Sequence, residues 1–179
     1  MRLIRSDPWL PVYGQIDLKD CTFKLKDGGA NELEIKIGEG NLTWTEGKNI
    51  EYIPDRGTLD EVREGDQIPM DVTFEFTWLY LVSPSSSSSS GGATPTIEDA
   101  LKQNNAAADW ASSDADTCRP YALDIEILNA PTPSACGDKE TITLPDFRYE
   151  SLAHDVRAGQ ISCSGKCNAV EPTVVRAAQ

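Results

Sequence analysis

The chain has 179 residues, 16 of them Lys or Arg and 29 Asp or Glu, so its formal net charge is −13. This balance excludes the basic surface that grips nucleic acid and the polybasic segment that holds a protein on an anionic membrane. The longest apolar run, 78–82, has five residues, far below the roughly 18 of a membrane-spanning helix. Residues 1–8 lack the apolar core of a signal peptide, so the sequence predicts a protein made in the cytoplasm.

Alternation of apolar and polar residues with period two dominates the first part of the chain and predicts β-strands. The apolar positions change phase at 19–20, between a strand ending near Leu18 and one beginning at Cys21. A strand over 32–37 carries Glu32 and Glu34 on its polar face. Beyond 38–40 the apolar positions become the even ones, which predicts a turn or bulge at the glycines there.

Residues 47–69 are polar and charged and contain turn-forming stretches at 54–57 and 64–66. The segment is longer than a plain hairpin requires, and such excess length is usually functional or disordered. Because it lies between two predicted core strands, we predict a long loop that reaches a neighbouring copy of the protein. The residues expected at that contact are Ile50, Tyr52, Asp55, Arg56, Leu59 and Arg63.

The clearest strand is predicted over 70–82, where every even position is apolar and Glu75 lies on the polar face. Six serines and two glycines within 83–93 predict a flexible loop on the surface. We interpret this tract as a loop inside one domain, 1–179, rather than as a domain boundary. The region 94–111 carries the only helical pattern, with a Thr N-cap, Pro in the first turn and acids where the helix dipole favours them.

The last part of the chain again has strand patterns. Residues 121–128 alternate, with Asp124 and Glu126 on the polar face, and shorter strands are predicted at 140–144 and 158–163. The fold class that follows is mostly β. We expect an antiparallel β-sandwich or barrel-like domain with one flanking α-helix and long loops.

The side chains that carry chemistry are sparse. His154 is the only histidine, which excludes a multi-histidine metal site, and its neighbour Asp155 is typical of a surface pair. Cys163 and Cys167 are separated by three residues, and we interpret them as small buried residues rather than as a zinc or redox pair. The odd count of five cysteines argues against a disulfide scaffold. The sequence therefore predicts no catalytic residue, no cofactor and no metal.

Three stretches together resemble the major tail tube proteins of long-tailed, siphovirus-like bacteriophages: 40–44, 64–76 and 152–165. The resemblance extends over roughly residues 10–170 and implies a structural virion protein of the phage tail, made and assembled in the host cytoplasm. It implies homohexameric rings stacked into a tube, through which DNA is ejected without specific binding. The implied partners are other copies of the chain, the tape measure, the tail tip and the tail terminator.

The resemblance also gives the acids on the polar strand faces an expected role. A channel with acidic walls conducts DNA without holding it, because like charges repel at short range. The candidate lumen-facing acids are Glu32, Glu34, Glu75, Asp124 and Glu126. Lys36 shares the face of the first two and weakens the field there.

One alternative remains open at this point. A soluble β-sandwich that binds a protein or carbohydrate through its long loops, as another virion component or as a cellular adaptor, has the same strand patterns. Particle size separates the two hypotheses, since a tube protein forms rings or filaments and a binding module stays monomeric or dimeric.

Overall fold

The computed structural model describes residues 20–35, 37, 41–78, 95–130 and 139–177. Within these ranges the fold is mostly antiparallel β-sheet with one short α-helix, as the sequence predicts, and the sheets do not close into a barrel. No helix in these ranges is long and apolar enough to cross a membrane. In chain order the elements are β1 (Cys21–Lys26), β2 (Glu32–Glu34), β3 (Leu42–Thr45), β4 (Ile50–Asp55), β5 (Thr58–Glu64), β6 (Met70–Thr77), α1 (Ile97–Lys102), a 3-10 turn (Asn105–Ala107), β7 (Leu123–Asn129), β8 (Lys139–Asp155), β9 (Gln160–Cys167) and β10 (Thr173–Ala177).

The main sheet has the strand order β2-β1-β7-β8-β9-β6-β3, and β10 pairs with the first part of β8. The register of β8 shifts near Asp146, which has a φ of 51°, and again between Tyr149 and Ser151. These bulges bend the strand, so β8 takes part in two halves of the sheet. We call β2, β1, β7, the first part of β8 and β10 the β1–β7 half. The second part of β8 with β9, β6 and β3 is the β6–β9 half.

One hydrophobic core joins the two halves and α1. Phe74 is fully buried, and its ring centroid lies 5.8 Å from that of Phe76 and 5.7 Å from that of Phe147. Since β6 supplies two of these rings and β8 the third, aromatic packing connects strands that are not adjacent in the sheet. The polar faces of the strands consequently point away from this core.

The helix is shorter than the predicted helical region. It begins after Thr96, whose Oγ1 accepts the N–H of Asp99, while the Asp99 carboxylate accepts the N–H of Thr96, each at 3.1 Å. This capping box places Pro95 before the N-cap rather than in the first turn. Gln103 then adopts a left-handed conformation with a φ of 50°, which ends the helix. Of the predicted helical region 94–111, the described part, 95–111, is α-helical over Ile97–Lys102 and has one 3-10 turn beyond it.

Several strand predictions are confirmed. The strand predicted from 70 extends to Thr77, and the one at 140–144 lies within β8. β9 begins at Gln160, two residues later than the predicted start, and continues to Cys167. Residues 79–82, the serine tract at 83–93 and the phase changes at 19 and 38–40 lie outside the described residues.

The prediction that 47–69 is too long for a hairpin was wrong. β4 and β5 pair with each other over residues 50–64 and form a separate two-stranded sheet. Arg56 and Gly57 connect them, with φ angles of 49° and 84°. Two consecutive positive φ angles match a two-residue hairpin turn whose twist fits the flanking strands. Because each arm has six or seven residues, the strands themselves account for the length.

Candidate assembly surfaces

The β6–β9 half has a polar face rich in hydroxyl groups. In the register of its strands, Thr73 lies opposite Ser164 and Glu75 opposite Ser162. An ion pair joins Lys166 to Asp71 on this face at 2.7 Å, and the carboxylate of Glu75 is exposed. We call this surface the hydroxyl face. Its hydroxyl side chains, none of them buried, are Thr43, Thr45, Thr73, Thr77, Ser151, Ser162 and Ser164.

The same half is bounded by two open strand edges. β3 pairs with β6 on one side, and β8 beyond Phe147 pairs with β9 on one side. Within the described part of the chain, no strand covers the outer side of either. Open edges present unpaired N–H and C=O groups that accept a further strand. The hydroxyl face can therefore be continued by another sheet at both ends.

The acids of the β1–β7 half are accompanied by lysines. The Lys24 amine lies 2.8 Å from the Glu32 carboxylate, and the Lys26 amine lies 2.6 Å from that of Glu126. Glu34 is exposed and stands opposite Lys24 in the register of β1 and β2. The alternating positive and negative charges weaken the electrostatic field of this face. The lysines of β1 are visible in the sequence, but strand periodicity alone does not show that they lie beside these acids.

Asp124 has a different environment from the other acids. It is half-buried, and burial raises the pKa of its carboxyl group, although its Oδ1 accepts the N–H of Asp146 at 2.9 Å. The carboxylate thus supports the bulge of β8. The structure accordingly separates the five candidate acids. Glu75 lies on the hydroxyl face, Glu32, Glu34 and Glu126 lie on the β1–β7 half, and Asp124 lies at the bulge.

The β4–β5 hairpin carries an exposed apolar face. Tyr52 stands opposite Val62, and Leu59 stands opposite Pro54 on the same side. We call Ile50, Tyr52, Leu59 and Val62, which are between 42% and 67% exposed, the hairpin stripe. Ile50, Tyr52 and Leu59 are among the residues predicted at the contact. Val62 was not predicted; it joins them because the two-residue turn at 56–57 sets the register that places it opposite Tyr52.

The remaining predicted contact residues lie elsewhere on the hairpin. Asp55 and Arg56 are at its tip, and Arg63 lies on the opposite face, where its Nε is 2.7 Å from a carboxylate oxygen of Glu51. A two-stranded hairpin alone is marginally stable in water, and exposed apolar patches mark interaction sites. The hairpin stripe therefore has the character of a contact surface.

Cys163, Cys167 and His154 show no reactive arrangement. Cys163 and Cys167 are fully buried, and burial raises the pKa of each thiol to about 12. The His154 ring lies edge-on against Trp78 at 5.2 Å, with its Nε2 3.4 Å from Glu98. Asp155 instead accepts backbone N–H groups of the following turn, so it does not orient the imidazole. Among the described residues, no three potential metal ligands cluster.

Comparison with known proteins gives similarity at the level of the fold. No protein-family model and no curated protein matches the sequence. The tube-terminating cap of the anti-feeding prophage superposes with a TM-score of 0.53 at 11% identity, covering 98% of this chain and 100% of that chain. The sheath/tube terminator of the PVC extracellular contractile injection system, in the extended state, gives 0.50 at 12% identity, with coverages of 92% and 99%. A chain of the extended PVC sheath–tube complex gives 0.50 at 10% identity, with coverages of 91% and 93%.

Proposed function

We propose that the chain is a structural subunit of a phage-tail-like tube that assembles from copies of itself. The observation that carries the proposal is the β6–β9 half, a four-stranded sheet with a hydroxyl-rich face and two open edges. When β3 of one copy pairs with β8 of the next, the sheet continues from subunit to subunit. Such a head-to-tail contact closes into a ring when the rotation between copies allows it. The fold similarity to tube components over at least 91% of the chain supports the same conclusion.

In this arrangement the hydroxyl face lines the channel. Hydroxyl groups carry no charge that would hold a phosphate, and one Glu75 from every subunit forms a ring of carboxylates. DNA then passes without specific binding, as in genome ejection through a phage tail. Six subunits in a ring, stacking of rings, and contacts with the tape measure, tail tip and terminator follow from the resemblance to major tail tube proteins. The place of action is the phage tail, after assembly in the host cytoplasm.

The hairpin supplies a second contact between subunits. Its stripe is apolar and exposed, and β4–β5 pairs with no other described strand of its own chain. Covering about 100 Å² of apolar surface contributes on the order of 2.5 kcal/mol. A contact of that kind holds neighbouring copies together more firmly than strand pairing alone.

A second candidate function is termination of a tube. Two of the solved structures described above are a terminator and a terminating cap. A terminator forms a ring that does not stack, whereas a tube subunit forms rings that stack at increasing concentration. Electron microscopy of the purified chain at several concentrations separates the two.

Charge pairs at the open edges test the proposal. Thr43 lies on β3 and Ser151 on the second part of β8, both with exposed side chains. We expect Thr43→Lys with Ser151→Lys to shift the chain toward monomers, because like charges face each other across the joined edges. Thr43→Lys with Ser151→Glu is expected to restore assembly, and Thr73→Lys, in the middle of the face, serves as the matched control.

Sedimentation velocity and negative-stain microscopy give the readout. An unaltered chain that stays monomeric or dimeric at every concentration contradicts the proposal and favours the binding module. Equal assembly of the two edge variants contradicts the edge contact.

A further inference from the structure

β10 has an open edge of unusual composition. It pairs with the first part of β8 through Thr173–Ala177, and no described strand covers its other side. Val174 and Val175 are 41% and 57% exposed. Natural edge strands are commonly blunted by short length, charged side chains, proline or bulges. β10 contains neither a proline nor a bulge in its pairing, and Arg176 is its one charged residue. An exposed apolar edge of this kind is suited to accept a strand.

The hairpin offers a strand of matching character. Every residue of β5 is exposed, and β5 pairs only with β4 within the described chain. The outer side of β4 is less suitable, because Pro54 has no N–H to donate. β5 is therefore the side of the hairpin that can add to another sheet.

Charge selects the direction and register of the pairing. When Val62 is placed opposite Val175 in antiparallel orientation, Glu61 falls opposite Arg176. In parallel orientation the same valine pair brings Arg63 opposite Arg176. Opposite charges across a strand pair stabilise it and like charges destabilise it, so the antiparallel register is favoured. It joins the two valines on one face and the ion pair on the other.

We propose that β5 of one copy adds to β10 of a second copy in this antiparallel register. The inference deepens the proposed assembly, on which it rests, by naming the acceptor of the hairpin. The negative side chains of β5, Asp60, Glu61 and Glu64, complement the exposed guanidinium of Arg176. In its own chain Arg176 has only Glu140 as an ion-pair partner among the described residues, with Nε 3.0 Å from the carboxylate.

Closure within one chain is the competing arrangement. Lys48 and Glu64 at the base of the hairpin line the same cavity as Val170 and Glu171, just before β10. The hairpin nevertheless stands unpaired from β10 in the structure. The experiment must therefore distinguish bonds between chains from bonds within a chain.

Disulfide trapping between two differently tagged full-length copies distinguishes bonds between chains from bonds within a chain. One copy carries Val62→Cys and the other carries Val175→Cys, and the mixture is oxidised. We expect the tagged heterodimer to form at least about tenfold more than with Glu61→Cys, whose side chain lies on the opposite face of β5. Each variant mixed with the unaltered chain measures the background from the native cysteines. A heterodimer yield equal to that of the Glu61→Cys control overturns the proposal. A chain that carries both Val62→Cys and Val175→Cys is also oxidised, and a disulfide that forms only within that chain overturns the proposal as well.

Charge reversal gives an independent readout. We expect Arg176→Glu to weaken assembly about fivefold, and Arg176→Glu with Glu61→Arg to recover it. Lack of recovery overturns the register. Rings or tubes without the Val62–Val175 disulfide leave the tube proposal standing and refute the acceptor site, whereas a chain that neither assembles nor cross-links refutes both.

Discussion

At the scale of single residues, Asp114 links the irregular segment after α1 to β8. It is 9% exposed and accepts the N–H of Asp116 at 2.9 Å and the Nη2 of Arg148 at 2.6 Å. Arg148 also donates to the carbonyl of Pro120 at 3.0 Å. The network ties the segment before β7 to β8, and a buried charge with such partners is costly to lose.

Asp114→Asn tests this network through pH. The hydrogen bond from Asp116 and the guanidinium of Arg148 hold the pKa of Asp114 below its ordinary 3.8. A lowered folded-state pKa stabilises the fold above about pH 4, and this stabilisation is lost as pH falls through the folded value. We expect the variant to be less stable than the unaltered chain at pH 7, with the difference shrinking below pH 4.

Urea denaturation across pH measures the effect. The matched control is Glu150→Gln, because Glu150 is an exposed carboxylate on β8. A pH-independent deficit in Asp114→Asn would mean that lost packing, rather than the charge, destabilises the variant.

At the scale of elements, period two predicted the strands that have one buried face. β6 is the clearest case, since its buried and exposed residues alternate from Met70 to Thr77 without a break. β8 was only partly predicted, because the bulges at Asp146 and near Glu150 shift the phase of its alternation. At the first of these bulges, the N–H of Asp146 donates to the carboxylate of Asp124, a contact that no sequence pattern around residue 124 indicates.

The hairpin was missed although its signals are in the sequence. A glycine follows Arg56 at the turn, and apolar Ile50 and Tyr52 flank Glu51, so part of a strand–turn pattern is present. Because neither face of β5 is buried in the chain itself, apolar periodicity is weak there. The segments that form the candidate assembly surfaces could therefore be predicted from the sequence. The open strand edges could not, because they depend on the order of the strands in the sheet.

Removal of the hairpin tests whether it serves assembly without contributing to the stability of the fold. The N–H of Gly65 donates to the carbonyl of Asn49 at 3.0 Å, so two glycines can replace Ile50–Glu64. We expect the free energy of unfolding to change by less than about 1 kcal/mol, because exposed segments contribute little. Assembly is expected to be lost, as followed by light scattering. Glu51→Gln, on the face opposite the stripe, is the control, and normal tubes from the shortened chain would refute the role of the hairpin.

At the scale of the whole molecule, the net charge of −13 is a poor guide to the channel, because the acids lie on different surfaces. The β1–β7 half pairs its acids with Lys24 and Lys26. The hydroxyl face carries Glu75 and the Lys166–Asp71 ion pair, and Asp155 lies at its end, opposite Gln160. In the proposed ring, repetition makes the Glu75 carboxylate effective, because every subunit contributes one at the same level of the channel.

Glu75→Lys tests that charge. We expect the variant to fold and assemble, since Glu75 is exposed. Its assembled particles are expected to retain DNA at low salt and to release it as salt rises, because phosphate contacts are screened. DNA retention on sedimented particles measures this. Glu32→Lys, on the β1–β7 half, is the control, and equal retention by the two variants would argue against a lumenal Glu75.

The central claim is that the β6–β9 half forms the wall of a channel. The most direct measurement is a cryo-electron microscopy reconstruction of particles assembled from the purified chain. We predict closed rings in which β3 of each subunit adjoins β8 of the next, with Glu75 and the hydroxyl side chains facing the central opening. Rings lined instead by the β1–β7 half, or a chain that forms no closed assembly, would contradict the account.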